Sequence, residues 1–161
     1  MTPANIDNCI SAEIPYSPAM NGDQRPWTED QAQQQDMHEL VAKMMIHGPC
    51  GPLYDRPHLG CCKNSAYGQC KRGFPKKLRG FTEALDDKFA DLRRRSPSEG
   101  GHTCKVWYKN KMYLIDNGWV VPYSPLLLST FRCHINVEYV RTIKSIKYLC
   151  GYHFKGEDLK A

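Results

Sequence analysis

The chain has 161 residues, of which 41% are apolar, enough for the core of one ordinary domain. No apolar run approaches the ~18 residues that cross a bilayer, and the start has neither the basic nor the apolar stretch of a secretory signal. The formal net charge of +5 conceals an asymmetry, because residues 1–40 carry seven acids and one base whereas residues 41–161 carry 21 bases and 10 acids. A basic body favours a polyanionic partner such as nucleic acid, although a solvated basic surface gives the same charge.

The first elements in the chain are an irregular segment and a helix. Prolines and a glycine interrupt residues 1–27, so we predict an extended, acidic lead-in there, with a short strand over 9–14. Thr28 is a good N-cap. Apolar residues then recur at helical spacing as far as Met45, which predicts a helix over 28–46 that ends before Gly48.

The second half of the chain changes from helical to strand-like periodicity near residue 102. Before this point, residues 47–80 form a Cys/His-rich loop, and residues 81–93 carry a weak helical stripe. After it, the patterns predict a hairpin over 103–115, a short strand over 119–121, a short helix over 126–131, a strand over 133–138 and a last helix over 142–155. We therefore expect an α+β fold over 28–161, with a partial antiparallel sheet, flanking helices and a zinc-type loop.

Clustered cysteines without a secretory signal favour metal binding over disulfides. We predict a tetrahedral Cys3His set suited to structural zinc, made of His47, Cys50, Cys62 and Cys70. Cys61 is an alternative to Cys62, and His58 is an alternative to His47. A set of free thiols in a partly buried loop would explain the same residues without a metal.

Two basic runs are candidates for contacts with nucleic acid. The first run surrounds Phe74 with the basic residues Lys71, Arg72, Lys76 and Lys77. Such a combination suits contact with phosphates together with stacking of a nucleobase on the ring. The second run consists of Arg93, Arg94 and Arg95. A solvated run of charge is the alternative explanation for both.

The predicted last helix carries two tyrosines. Tyr148 and Tyr152 are spaced i, i+4, and therefore share a face roughly opposite the apolar stripe that contains Ile146. Lys144 and Lys155 flank this face and are further candidates for DNA contact. Phenols beside lysines suit nucleophilic attack on a phosphate, but two tyrosines packed beneath a sheet would give the same pattern.

Several segments together resemble the helicase-like Rep region of Helitron transposases. These segments are ISAEIP (10–15), MIHGPCG (45–51), GFPK (73–76), DNGWVVPYSP (116–125), CHINVE (133–138) and SIKYL (145–149). The resemblance implies a rolling-circle initiator of the HUH endonuclease type, which cleaves and joins single-stranded DNA in the nucleus. It also implies that Tyr148 and Tyr152 are the nucleophiles, and that the intact parent enzyme uses Mg²⁺ or Mn²⁺.

The chain departs from the family pattern at both ends. The family's His-hydrophobic-His pair, which holds the divalent ion, has no counterpart among the six histidines, and no P-loop of the linked helicase occurs. We therefore expect a fragment that binds single-stranded DNA but is inactive by itself without its upstream and helicase segments. The alternatives are a non-catalytic zinc-stabilised DNA-binding module and a zinc-dependent protein-interaction module. We expect neither a membrane nor a small-molecule substrate as partner.

Overall fold

The computed structural model describes residues 2–51, 60–62, 69–84, 89–108 and 110–139. The helices are α1 (Pro3–Asp7), α2 (Pro18–Asn21), α3 (Glu29–Met44) and α4 (Pro125–Phe131), and the strands are β1 (Cys104–Tyr108) and β2 (Lys111–Ile115). Single 3₁₀ turns cover Pro97–Glu99 and Asn117–Trp119. Helices plus a two-stranded antiparallel sheet confirm the expected α+β class. Within the described part of the chain, no helix has the length and apolar character needed to cross a membrane.

Helix α3 begins at a complete capping box, which confirms the helix predicted from the sequence. The Thr28 hydroxyl accepts from the Gln31 amide N–H at 3.3 Å, and the Gln31 side chain accepts from the Thr28 N–H at 3.0 Å. Each bond satisfies an amide that the first helical turn leaves without a partner. The helix buries His38, Leu40 and Val41 against the rest of the molecule.

Strands β1 and β2 form the predicted hairpin. Cys104 pairs with Ile115 at its base, and both are fully buried. Asn110, in the connection, adopts φ 61°, a left-handed conformation that asparagine tolerates better than most residues. The opposite face of the hairpin exposes apolar side chains, with Trp107 72% exposed.

The predicted extended lead-in contains α1 and α2, and part of it belongs to the core. Ile14 is 2% exposed and packs in the main core with Val41 and Trp119, whereas Ile6 forms a smaller cluster with Leu92. Instead of the predicted strand over 9–14, a single antiparallel bridge joins Ser11 to Tyr123. The N-terminal segment is thus held by both apolar packing and backbone hydrogen bonds.

Three other predicted elements differ in the structure. The described parts of 81–93 are extended and joined by bridges between residues 79 and 94 and between 83 and 91, so the weak helical stripe was misleading. Residues 117–119 form a 3₁₀ turn where a strand was expected to begin, and Val120 makes only a single bridge with Ile46. The predicted strand over 133–138 alternates between exposed and half-buried residues only from 134 onward. Val137 donates one hydrogen bond, to the Pro122 carbonyl, and no ladder forms in the described structure. The predicted helix over 142–155 lies outside the described residues.

Candidate metal centre and its basic border

A cluster of one histidine and three cysteines has the geometry of a metal site. The potential ligand atoms of His47, Cys50, Cys61 and Cys70 all lie within 4.8 Å of one another. His47 Nε2 is 3.2 Å from Cys70 Sγ and 3.7 Å from Cys50 Sγ. Tetrahedral zinc with bonds of ~2.0–2.3 Å separates its donor atoms by roughly 3.3–3.8 Å, so the cluster could hold such an ion with little rearrangement.

The fourth member of the cluster is Cys61, where the sequence analysis favoured Cys62 and kept Cys61 as the alternative. Cys62 is 1% exposed, belongs to the apolar core, and lies next to the cluster, with its Sγ 3.7 Å from that of Cys61. Cys61 belongs to the group of ligand atoms that lie within 4.8 Å of one another, and Cys62 does not. Periodicity could not separate the two, because the surrounding loop has none.

Backbone contacts fix the positions of the ligands. The His47 N–H donates to the Trp119 carbonyl at 2.8 Å, and the Lys71 N–H donates to the Cys61 carbonyl at 2.8 Å. Gly48 has φ +108°, and a Cβ at this position would lie 2.7 Å from the Trp119 ring. A glycine is therefore required between His47 and the turn that leads to Cys50.

The surroundings of the cluster set the protonation of its members. Burial, followed by the charges of Arg72 and Lys76, lowers the pKa of His47 and favours the neutral imidazole that binds metals. Burial raises the pKa of Cys50 and of Cys61. Burial opposes ionisation of Cys70 as well, but the amides of Phe74 and Arg72 donate to its sulfur and leave its pKa below the usual value.

An aromatic stack connects the cluster to the first basic run. The rings of His47 and Phe74 are stacked with centroids 4.3 Å apart, and Lys76 Nζ lies 5.1 Å from the Phe74 centroid. The Lys76 N–H donates to the Gly118 carbonyl at 2.7 Å. The basic segment 71–79 is thereby held against the cluster on one side and against the 116–122 segment on the other.

The structure divides the predicted DNA-binding residues into exposed and internally paired groups. Lys71, Arg72, Lys76 and Lys77 are exposed. Arg95 instead makes a bidentate pair with Glu13, through contacts of 2.9 and 2.7 Å, and Arg93 approaches the same carboxylate at 3.3 Å. Glu13 is 8% exposed. Although burial opposes its ionisation, the hydrogen bonds and charges of Arg95 and Arg93 hold the pKa of Glu13 below its usual value.

The prediction that Arg94 belongs to an exposed basic run is wrong, because Arg94 is buried. Its side chain is 5% exposed, and one guanidinium nitrogen donates to the carbonyls of Asn117 and Val120, both at 2.7 Å. Burial lowers its pKa to about 10, which still leaves it charged at neutral pH. Charge counting along the sequence could not reveal this, since a guanidinium that satisfies buried carbonyls has the same sequence signature as one that binds phosphate.

Two structural roles were not anticipated from the sequence. Glu13 was counted among the acids of the lead-in, and no local signal predicted its burial, because alternation in an extended segment places it on the face opposite Ala12 and Ile14. Trp119 lines the metal turn and provides the carbonyl that accepts from His47, and no sequence signal identified it. The remaining predicted site residues, Tyr148, Tyr152, Lys144 and Lys155, and the alternative ligand His58, lie outside the described residues.

A scan against models of protein families finds none that matches this chain, and a search among curated proteins finds no relative.

Proposed function

We propose that this chain is a zinc-stabilised module that binds single-stranded DNA, as part of a Helitron-type rolling-circle transposase. The observation that supports the proposal is the stacking of the His47 ring on the Phe74 ring, with centroids 4.3 Å apart. This contact connects the Cys/His cluster, which could hold a metal, to the exposed basic segment. The alternative, a protein-interaction module that uses the acidic lead-in, is less favoured. Two acids of that segment, Asp7 and Glu13, form ion pairs with Arg93 and Arg95 of the same chain, so their charges are already paired.

Zinc in this module would be a structural cross-link. The loop over 47–80 has little apolar periodicity, and an ion held by His47, Cys50, Cys61 and Cys70 would fix four points along it. Because the ligands must be deprotonated and brought together, the free energy of metal binding contributes directly to folding. Bound zinc would therefore order segment 71–79 and present its cations at fixed positions.

Binding of a fluorescent oligo(dT) at several salt concentrations tests this proposal. Each lysine or arginine that neutralises a phosphate of a single strand contributes ~0.7 to the slope of log K against log salt. Replacing Lys71, Arg72, Lys76 and Lys77 by glutamine should weaken binding and flatten the slope by roughly three units if all four touch phosphate. A control, Lys105→Gln/Lys111→Gln, removes two exposed charges from the hairpin and should leave the slope nearly unchanged.

Removal of the metal tests the link between the cluster and DNA binding. Chelation of zinc, or the double substitution Cys50→Ser/Cys70→Ser, should weaken oligo(dT) binding because the basic segment loses its anchor. Affinity that is identical with and without zinc would show that the cluster does not organise the DNA-binding surface. A complete lack of salt-dependent DNA binding in the zinc-loaded protein would overturn the proposal.

The place of the module in a transposase rests on the sequence resemblance, and its test is chemical. In a longer chain that includes a His-hydrophobic-His segment upstream, Mn²⁺-dependent covalent capture of single-stranded DNA should occur. Tyr148→Phe and Tyr152→Phe should each impair capture or the later strand transfer, and the double variant should abolish both. A covalent adduct that persists in the double variant would exclude these tyrosines as the nucleophiles. Residues 1–161 alone should form no adduct.

A further inference from the structure

A cavity of about 610 Å³ lies beside the metal cluster. One part of its wall comes from the basic segment and includes Arg72, Phe74, Lys76 and Lys77. Its volume falls within the ~300–1,000 Å³ typical of sites that bury a small molecule or one unit of a polymer. The cavity therefore has room for a defined ligand group as well as solvent.

The charge of the wall favours an anion. Arg79 also lines the cavity, but its charge is satisfied by Glu83 at 2.8 Å and Asp91 at 2.9 Å. Among the ion pairs of the described residues, none involves Arg72 or Lys77. These two exposed cations remain available to a phosphate group from outside the chain.

Another part of the wall comes from the extended segment 133–139. It contributes the polar side chains of His134, Asn136 and Glu138. The His134 ring is fixed, because its Nδ1 hydrogen donates to the Met44 carbonyl at 2.7 Å. That bond assigns the proton of the neutral ring to Nδ1 and leaves Nε2 able to accept a hydrogen bond.

An exposed aromatic side chain also lines the cavity. Phe89 lines the cavity and is 52% exposed, although burial of such a ring would be favourable. An exposed ring next to cations is the combination that single-strand binding proteins use, since every nucleobase has a face that can stack. A simple inorganic anion would use the cations but would leave the exposed ring of Phe89 without a role.

We propose that this cavity receives one nucleotide of the bound strand, with its phosphate at Arg72 and Lys77 and its base stacked on Phe89. Asn136 and His134 then offer hydrogen-bonding groups to the edge of the base. This inference rests on the proposed function and adds to it the location of a nucleotide subsite. The hairpin and the arginines paired with Glu13 lie outside this subsite.

The test compares Phe89→Ala with a matched control, Phe131→Ala, which removes an exposed ring from α4 that does not line the cavity. Stacking of one base predicts that Phe89→Ala weakens oligo(dT) affinity by roughly 5- to 150-fold. Phe131→Ala should leave the affinity unchanged. Lys77→Gln should lower the salt slope by ~0.7, whereas Lys105→Gln should not.

Nuclear magnetic resonance with small probes locates the contact independently of strand affinity. Thymidine monophosphate should shift the ring signals of Phe89 and His134, and thymidine without the phosphate should do so only at much higher concentration. Equal affinities of Phe89→Ala and Phe131→Ala for oligo(dT), with no shift at Phe89, would overturn the nucleotide subsite while leaving DNA binding intact. A wild-type protein that does not bind oligo(dT) at all would instead overturn the proposed function.

Discussion

The side chain of Asn117 accepts a hydrogen bond from the backbone N–H of Ile14 at 2.7 Å, although 103 positions separate the two residues. Asn117 is fully buried, and its amide nitrogen also donates to the Arg95 carbonyl at 2.8 Å. One side chain therefore connects the N-terminal segment, the arginine segment and the turn that leads to Trp119. Because the bond to Ile14 is buried in the core, the asparagine helps to determine how these three segments meet.

Replacing Asn117 by alanine should destabilise the fold. The substitution leaves the buried N–H of Ile14 without this partner, which costs roughly 1–3 kcal/mol, and also removes the partly buried bond to the Arg95 carbonyl. Urea unfolding should show a lower free energy of unfolding. Asn136→Ala, at an exposed asparagine, should remain within about 0.5 kcal/mol of wild type. Equal stability of the two variants would contradict the structural role assigned to Asn117.

The two adjacent cysteines should differ in their effect on metal binding. Cys61→Ser removes a member of the cluster and should weaken zinc binding strongly, since the remaining ligands are one histidine and two thiols. Cys62→Ser should preserve about one zinc per chain while lowering stability, because it places a hydroxyl in the core. Zinc analysis after dialysis against a chelator measures the first effect. The reverse order of zinc loss would identify Cys62 as the ligand.

Stability should fall in acid because of Glu13. Its pKa is lower in the folded protein than the ordinary value of 4.5, so its contribution is fully present above pH 4.5 and is lost as the pH falls through the folded value. Glu13→Gln should lower the free energy of unfolding at neutral pH by roughly 2 kcal/mol, typical of charge-assisted hydrogen bonds. The variant should also lose part of the acid dependence. Chemical unfolding at several pH values measures this. If the free energy of unfolding depends on pH in the same way in wild type and variant, the prediction is wrong.

Gly48→Ala should damage both the fold and the metal centre. The left-handed backbone and the Trp119 ring 2.7 Å from the new Cβ together predict a loss of about 2 kcal/mol or more, along with weaker zinc binding. Gly22 is a matched control, because it has φ +85° but a Cβ there meets no described atom within 4 Å. Gly22→Ala should therefore cost only the backbone term, about 1 kcal/mol, and leave zinc binding unchanged. Similar losses in the two variants would show that contact with Trp119 is unimportant.

The elements that the sequence predicted well are those whose signals are local. The N-cap residue Thr28 and the apolar spacing to Met45 predict α3, and alternation around Asn110 predicts the hairpin. The segment 133–138 shows the limit of such signals, because alternation indicates an extended chain whereas a strand also needs a neighbour. The periodicity of residues 81–93 could not reveal that their described parts pair in an extended conformation, because a periodic pattern does not show what a segment packs against.

The candidate metal site was largely predictable because its chemistry depends on residue type and close spacing. His47, Cys50 and Cys70 were identified from the sequence, whereas only the positions of the side chains in the structure distinguish Cys61 from Cys62. The basic runs were less informative. The sequence carries the same charge for Lys77, which is exposed, and for Arg94, whose guanidinium satisfies buried carbonyls. Burial depends on distant segments, so charge alone could not distinguish the two.

The attachment of the N-terminal segment to Tyr123 has a consequence for the order in which the protein folds during synthesis. The Tyr123 hydroxyl donates to the Glu13 carbonyl at 2.9 Å across 110 positions, so residues 11–14 leave the ribosome long before their partner exists. The ligands between His47 and Cys70 are close in sequence and pay a smaller loop-closure entropy. The metal loop is therefore complete early, whereas residues 11–14, although synthesised before it, reach their native place only after Tyr123 has been made.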